Sequence, residues 1–259
     1  MLLEGKTVLV SGVGAGLGRE VAQAALADGA NLVLGARTEK VLADTAAALD
    51  PSGKRVAWHA ADITKPADCE ALVAAGVARF GAIDAVIQVA AYEAVFGGLM
   101  DTDFEIWKKV YDTNVLGSLT LLRAVVPGMK ANGRGSIVLI GSQSQFKPSL
   151  PQAGYAASKN ALLTAVYYLA DELGPAGIRV NMVIPSWMWG PPVQGFVKLR
   201  AKQEGRSEAD VLNDIVGGFP LRRMTEDREV ADAAVWFASD RASAVTGQHL
   251  MVNSGELMK

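Results

Sequence analysis

From residue 7 to residue 252 the chain repeats one phrase, a short run of apolar β-forming residues followed by a longer stretch with helical periodicity. The runs are Thr7 to Val10, Asn31 to Leu34, Val56 to Ala60, Ala85 to Val89, Ser136 to Ile140, Arg179 to Val183 and Gly247 to Val252. Helical stretches lie near 17 to 28, 38 to 49, 66 to 79, 103 to 131, 154 to 173 and 227 to 238. A strand that is followed by a helix before the next strand returns parallel to the first, and such crossovers cover both faces of the sheet. The runs are almost continuously apolar, as strands buried on both sides must be. The pattern predicts an α/β fold: a single doubly wound Rossmann domain over residues 1–259, with a seven-stranded parallel sheet and helices on both faces. The rhythm breaks once, from Pro185 to Met224, where a loop and two short helices are predicted. Ser207 followed by Glu208 and Asp210 reads as an N-cap with an acidic first turn. A long excursion beyond the carboxyl end of a strand falls where open α/β sheets bind ligands, so residues 186–224 form a candidate lid inserted before the last strand.

Composition agrees and narrows the function classes. Half the residues are hydrophobic, 27 are glycine and only 20% are charged, which suits a buried sheet. The net charge is −2 and the 25 Lys and Arg are scattered, so no basic patch marks a nucleic-acid partner. No apolar run reaches the roughly 18 residues of a membrane span. The opening residues carry Glu4 and Lys6 within a short apolar run and lack signal-peptide features, and Cys69 is the only cysteine; both lead us to expect a cytoplasmic setting. Cys69 reads as an inert, half-buried thiol. His59, His249 and the Asp171–Glu172 pair lack partner motifs, and no metal-ligand cluster is visible.

Two motifs carry chemistry. Ser11-Gly12-Val13-Gly14-Ala15-Gly16-Leu17-Gly18 follows the first strand and opens a helix. Glycine allows a tight turn and close approach of the backbone to a pyrophosphate, and the free amides of the helix start attract the anion. Farther along, Ser142 follows a central strand, while Tyr155 and Lys159 stand four residues apart on one face of the next helix. A bare Tyr-x-x-x-Lys pair is a weak signal. Behind a glycine turn and a serine in this order, it supplies a carbonyl with a hydrogen-bond donor and a proton while it accepts a hydride.

Gly12-x-x-x-Gly16-x-Gly18, Asn114-Val115-Leu116-Gly117, Ser142 and Tyr155-x-x-x-Lys159 together resemble the short-chain dehydrogenase/reductase family over almost the whole chain. The resemblance implies catalytic roles for Asn114, Ser142, Tyr155 and Lys159. Tyr155 would exchange the substrate proton, Lys159 would lower the pKa of Tyr155 and hold the ribose hydroxyls, Ser142 would orient the carbonyl, and Asn114 would keep a water relay to Lys159. It also implies a dinucleotide held by Gly12, Gly14, Gly16, Leu17, Gly18, Arg37, Thr38, Asp62, Ile63, Ala90, Tyr155, Lys159, Pro185, Ser186 and Trp187. A homo-oligomer, tetramer or dimer, is implied as well, formed through helices 103 to 131 and 154 to 173. After the second strand, Ala36 stands where NAD-preferring relatives carry Asp, and Arg37 follows. An Arg–phosphate contact is charge-assisted, which favours NADP(H), with NAD(H) as the alternative.

Two segments depart from the family pattern: Gln88-Val89-Ala90-Ala91 replaces Asn-Asn-Ala-Gly, and Pro185-Ser186 replaces Pro-Gly. Ala91 then adds a methyl beside the cofactor, and Val89 removes a polar side chain that steadies the sheet. A substrate pocket is expected among Tyr92, Phe96, Gln143, Phe146, Trp187, Trp189 and Phe196, suited to a bulky, poorly charged alcohol or ketone, whether alicyclic, aromatic or steroid-like. The alternative is a 3-oxoacyl-thioester reductase. An enoyl reductase of this family usually separates Tyr and Lys by six residues rather than three. A non-catalytic nucleotide-binding regulator would have lost one of the four catalytic side chains.

Overall fold

The computed structural model describes all 259 residues, Met1–Lys259. Its strands are β1 (Thr7–Ser11), β2 (Asn31–Ala36), β3 (Val56–Ala60), β4 (Ala85–Gln88), β5 (Gly135–Ile140), β6 (Ile178–Pro185) and β7 (His249–Val252). All pair in parallel, in the order β3-β2-β1-β4-β5-β6-β7. The order reverses between β1 and β4, where Ser11 pairs with Gln88, and this opens a crevice at the carboxyl edge.

Around the sheet lie α1 (Leu17–Ala27), α2 (Glu39–Leu49), α3 (Pro66–Phe80), α4 (Phe104–Tyr111), α5 (Ser118–Asn132), α6 (Ala153–Leu173), α7 (Pro191–Glu204), α8 (Glu208–Val216) and α9 (Asp227–Ala238). Side chains alternate across each strand, so Val8 and Val10 enter one apolar layer while Leu9 enters the other. Strand β5 does the same, with Val138 and Ile140 on one side and Ile137 and Leu139 on the other. Fully burying each such side chain contributes about 1.5–3 kcal/mol, which is why both faces need helices.

Two expectations change. The helix predicted over 103 to 131 runs unbroken but carries a π-helical segment, Asp112–Gly117, between α4 and α5. Cys69 is fully buried rather than half-buried; its Sγ lies 3.5 Å from the Ile63 carbonyl oxygen, and burial pushes the thiol pKa up to about 11. Both changes leave the sheet intact.

The excursion after β6 holds helices α7 and α8, the first of them longer than predicted. Pro191 and Pro192 start α7, where missing amides cost nothing, and Gly205 stops it at φ 64°. Ser207 and Asp210 cap α8 reciprocally. Val197, Ala201 and Val211 form a small apolar cluster of the lid, with Trp189 and Phe196 packed against it. At the opposite edge of the sheet, Lys6–Asp240 (3.0 Å) and Arg134–Asp84 (3.1 Å) pair beside the starts of β1, β4 and β5. No helix is long and apolar enough to cross a membrane.

Candidate active site

A cavity of about 1090 Å³ runs along the carboxyl edge from the glycine turn to the lid. Its first wall is the turn between β1 and α1. Gly12 has φ 89°, and a Cβ there would stand 2.3 Å from the Ala90 nitrogen; a Cβ at Gly18 would stand 2.2 Å from the Gly12 oxygen. These two glycines are required by the chain itself. Gly14 differs, because nothing lies within 4 Å of its Cβ position, and Gly16 would meet only Asp227 Oδ2 at 3.6 Å. The turn is a cradle with open space before the start of α1, which fits a pyrophosphate. Ala36, exposed Arg37, Thr38, Asp62 and Ile63 extend the wall beyond it. Thr64 holds the Asp62 carboxylate through its amide (3.0 Å) and hydroxyl (2.7 Å), which keeps the Asp62 pKa below its ordinary value.

The facing wall carries Ser142, Tyr155 and Lys159. Ser142 caps a short turn after β5. Its Oγ accepts from the Ser144 amide (3.3 Å) and the Ser144 hydroxyl (2.9 Å), which leaves its own proton free to be donated into the cavity. Tyr155 and Lys159 project from α6, which approaches α4 closely because Gly154 leaves room for the Trp107 ring; a Cβ there would be 2.9 Å from it. Lys159 is 3% exposed, donates to the Ile140 carbonyl at 2.7 Å, and has its Nζ 5.6 Å from the Tyr155 ring centre.

Burial lowers the Lys159 pKa to about 8, opposed in part by Glu93. Burial also pushes the Tyr155 pKa up, Glu93 adds to the rise, and only the Ser142 hydroxyl lowers it. The expected lowering of the Tyr155 pKa by Lys159 is therefore not what this geometry gives, because the ammonium is directed at Ile140 and desolvation outweighs it. Glu93 was missed in the sequence. It stands, exposed, in the loop after β4, where no periodicity marks which side chains border a cavity.

Asn114 is fully buried and does not line the cavity. Its Oδ1 accepts from the Tyr92 amide at 2.6 Å, and its Nδ2 donates to the Tyr92 carbonyl and the Ser158 hydroxyl, both at 3.0 Å. Ser158 in turn donates to the Tyr155 carbonyl at 2.7 Å. Asn114 thus braces the loop after β4 against α6, and its side chain is spent on that brace rather than extended toward Lys159. The departure at Gln88-Val89-Ala90-Ala91 also finds its account. Gln88 Nε2 bonds Ala90 O (3.2 Å) and Ser118 Oγ (3.0 Å), so Gln88 supplies the amide that steadies this corner, while its Oε1 has no partner.

Every expected cofactor residue lines the cavity, as do Tyr92, Phe96, Gln143, Trp187 and Phe196 of the expected substrate pocket. Phe146 and Trp189 do not. Phe146 packs beside His249 (5.8 Å between ring centres) and beneath Lys259, and Trp189 packs into the lid's own clusters. The sequence also missed Asp227, which lies beside Gly16 and Gly190 with a buried, unpartnered Oδ1; burial raises its pKa, and Glu20 and Glu226 add to the rise.

Residues 12–256 match a family model described as enoyl-(acyl carrier protein) reductase. The chain belongs to the short-chain dehydrogenase/reductase family. Human dehydrogenase/reductase SDR family member 4 is 32% identical over 253 residues, spanning 98% of this chain and 88% of the relative. Among solved structures, NAD+-bound xylitol dehydrogenase superposes with a TM-score of 0.89 at 26% identity, covering 97% of this chain and 99% of that one. An F189W actinorhodin polyketide ketoreductase with NADPH does so with a TM-score of 0.88 at 29% identity, each chain covered to 97%. As a short-chain dehydrogenase/reductase, the protein is an oxidoreductase of alcohols and ketones that uses NAD(P)(H). When bound, that cofactor supplies or removes the hydride.

Proposed function

We propose that this enzyme interconverts a bulky, poorly charged secondary alcohol and its ketone, with NADP(H) preferred. The observation that carries the reading is the convergence of Ser142, Tyr155 and Lys159 on one wall of a cavity whose other wall is the glycine cradle. In the reducing direction the carbonyl carbon gains a hydride, and Ser142 Oγ donates a hydrogen bond to the carbonyl oxygen as charge develops there. Tyr155 Oη then gives its proton to that oxygen; oxidation returns it. Lys159, buried beside the tyrosine, offers its remaining ammonium protons to the ribose hydroxyls.

Arg37 supports the NADP(H) preference, because it is exposed at the end of β2 and its guanidinium forms no ion pair or hydrogen bond within the protein. Tyr92, Phe96, Trp187 and Phe196 support an apolar substrate, and the Glu93 carboxylate disfavours an anionic one. The likeness to a polyketide ketoreductase favours a second reading, reduction of a 3-oxoacyl thioester. A panel of bulky ketones and a 3-oxoacyl thioester, assayed with NADPH and NADH, separates these readings. We expect NADPH to be favoured by about tenfold or more in kcat/KM, since a charge-assisted hydrogen bond is worth roughly 1.5–3 kcal/mol. Tyr155→Phe should lose about 10³-fold in turnover while still binding cofactor; substantial residual activity would refute the assignment.

A homo-oligomer completes the reading. Phe104 on α4 and Tyr168 on α6 expose large apolar surfaces of the kind that subunit contacts cover.

A further inference from the structure

The segment after β7 turns back on itself and packs against two walls of the site from outside the cavity. Ser254 (φ 53°) and Gly255 (φ 83°) are both left-handed, and a Cβ on Gly255 would stand 2.7 Å from Pro220 Cγ. The turn is fixed on two sides. Asn253 Nδ2 donates to Gln143 Oε1 at 2.6 Å, next to Ser142, while Ser254 O accepts from the Leu221 amide at the end of the lid. The turn delivers Glu256 into the gap between two walls. Its carboxylate accepts from the Ser186 hydroxyl, just beyond β6, and pairs with Lys147 at 3.0 Å, just beyond the Ser142 turn. The Glu256 side chain is only 5% exposed. Ser186 is also where this chain departs from the family's Pro-Gly, and the added hydroxyl is what the carboxylate holds.

We propose that Glu256 is a positioning residue. From the C-terminal segment it holds the wall after β6 and the Ser142 turn at a fixed separation, so that the carbonyl held by Ser142 meets the hydride in line. The inference rests on the function proposed above. A carboxylate bonded at both oxygens sets the spacing more firmly than either wall can alone, and loss of one bond frees both walls by a few tenths of an ångström, a displacement that costs turnover before it costs binding.

The test uses the full-length enzyme with the best ketone from the panel, comparing Glu256→Gln, Ser186→Ala and the double variant, with Tyr155→Phe as control. We expect each single variant to lose at least tenfold in kcat and the double to lose no more than the worse single, with Tm lower by no more than a few degrees; in Glu256→Gln, which replaces no cofactor residue, cofactor Kd should stay near the parent's value. Glu256→Asp should recover part of the loss. Parent-like kcat in folded Glu256→Gln and Ser186→Ala overturns the inference, as does a loss in Glu256→Gln accompanied by an equal loss of cofactor affinity. Activity surviving in Tyr155→Phe overturns the function instead, so the two failures are distinguishable.

Discussion

Lys159 shows how this site trades stability for chemistry. Its ammonium is buried, and its pKa falls from the ordinary 10.5 to about 8. Between those values the unfolded chain keeps a proton that the folded chain has released, so folding stability rises with pH across that window and the cost of burial is fully present below it. We expect the parent to gain on Lys159→Met by roughly 2–3 kcal/mol between pH 7 and pH 10.5 in chemical denaturation, and a constant difference would show that the lysine is not desolvated. At this scale the site was partly legible in the sequence. Ser142, Tyr155 and Lys159 carry their roles in residue type and spacing. Glu93 and Asp227 do not, because a carboxylate beside a cavity looks in sequence like any solvated one until the fold sets its neighbours. The Asn114 motif is visible in the sequence, whereas the partners of its side chain, Tyr92 and Ser158, are set by tertiary packing.

Among the elements, the glycine turn makes the sharpest prediction, since its glycines answer to different constraints. Gly12→Ala forces a methyl onto the backbone of Ala90 from a left-handed conformation, and we expect a Tm loss of several degrees or failure to fold. Gly14→Ala meets nothing, so its Tm should stay within about a degree of the parent's while cofactor affinity falls at least tenfold. Equal behaviour of the two in thermal melts would contradict this division. The strands and most helices were legible because their apolar period matches their geometry. The π-helical segment at Asp112–Gly117 was not, since one extra residue in a turn shifts the apolar period too little to be read over six residues. The length of α7 was hidden too: its first two residues are prolines, which read as loop in sequence yet are well suited to a helix start.

At the scale of the whole molecule, Phe104 and Tyr168, residues 57% and 76% exposed, belong to helices that flank one side of the sheet. We expect light scattering to report a dimer or tetramer, and Phe104→Glu with Tyr168→Glu to shift it toward monomer; a monomeric parent would remove the oligomer from the reading. The sheet's single direction has another outcome. Because all seven strands run the same way, the cradle, the catalytic wall and the lid share one edge, and the opposite edge is left with the ion pairs Lys6–Asp240 and Arg134–Asp84. The molecule is therefore two-ended, with a working end and a handle: a resin, an electrode or a fused carrier attached at that charged edge would leave the mouth of the cavity facing outward.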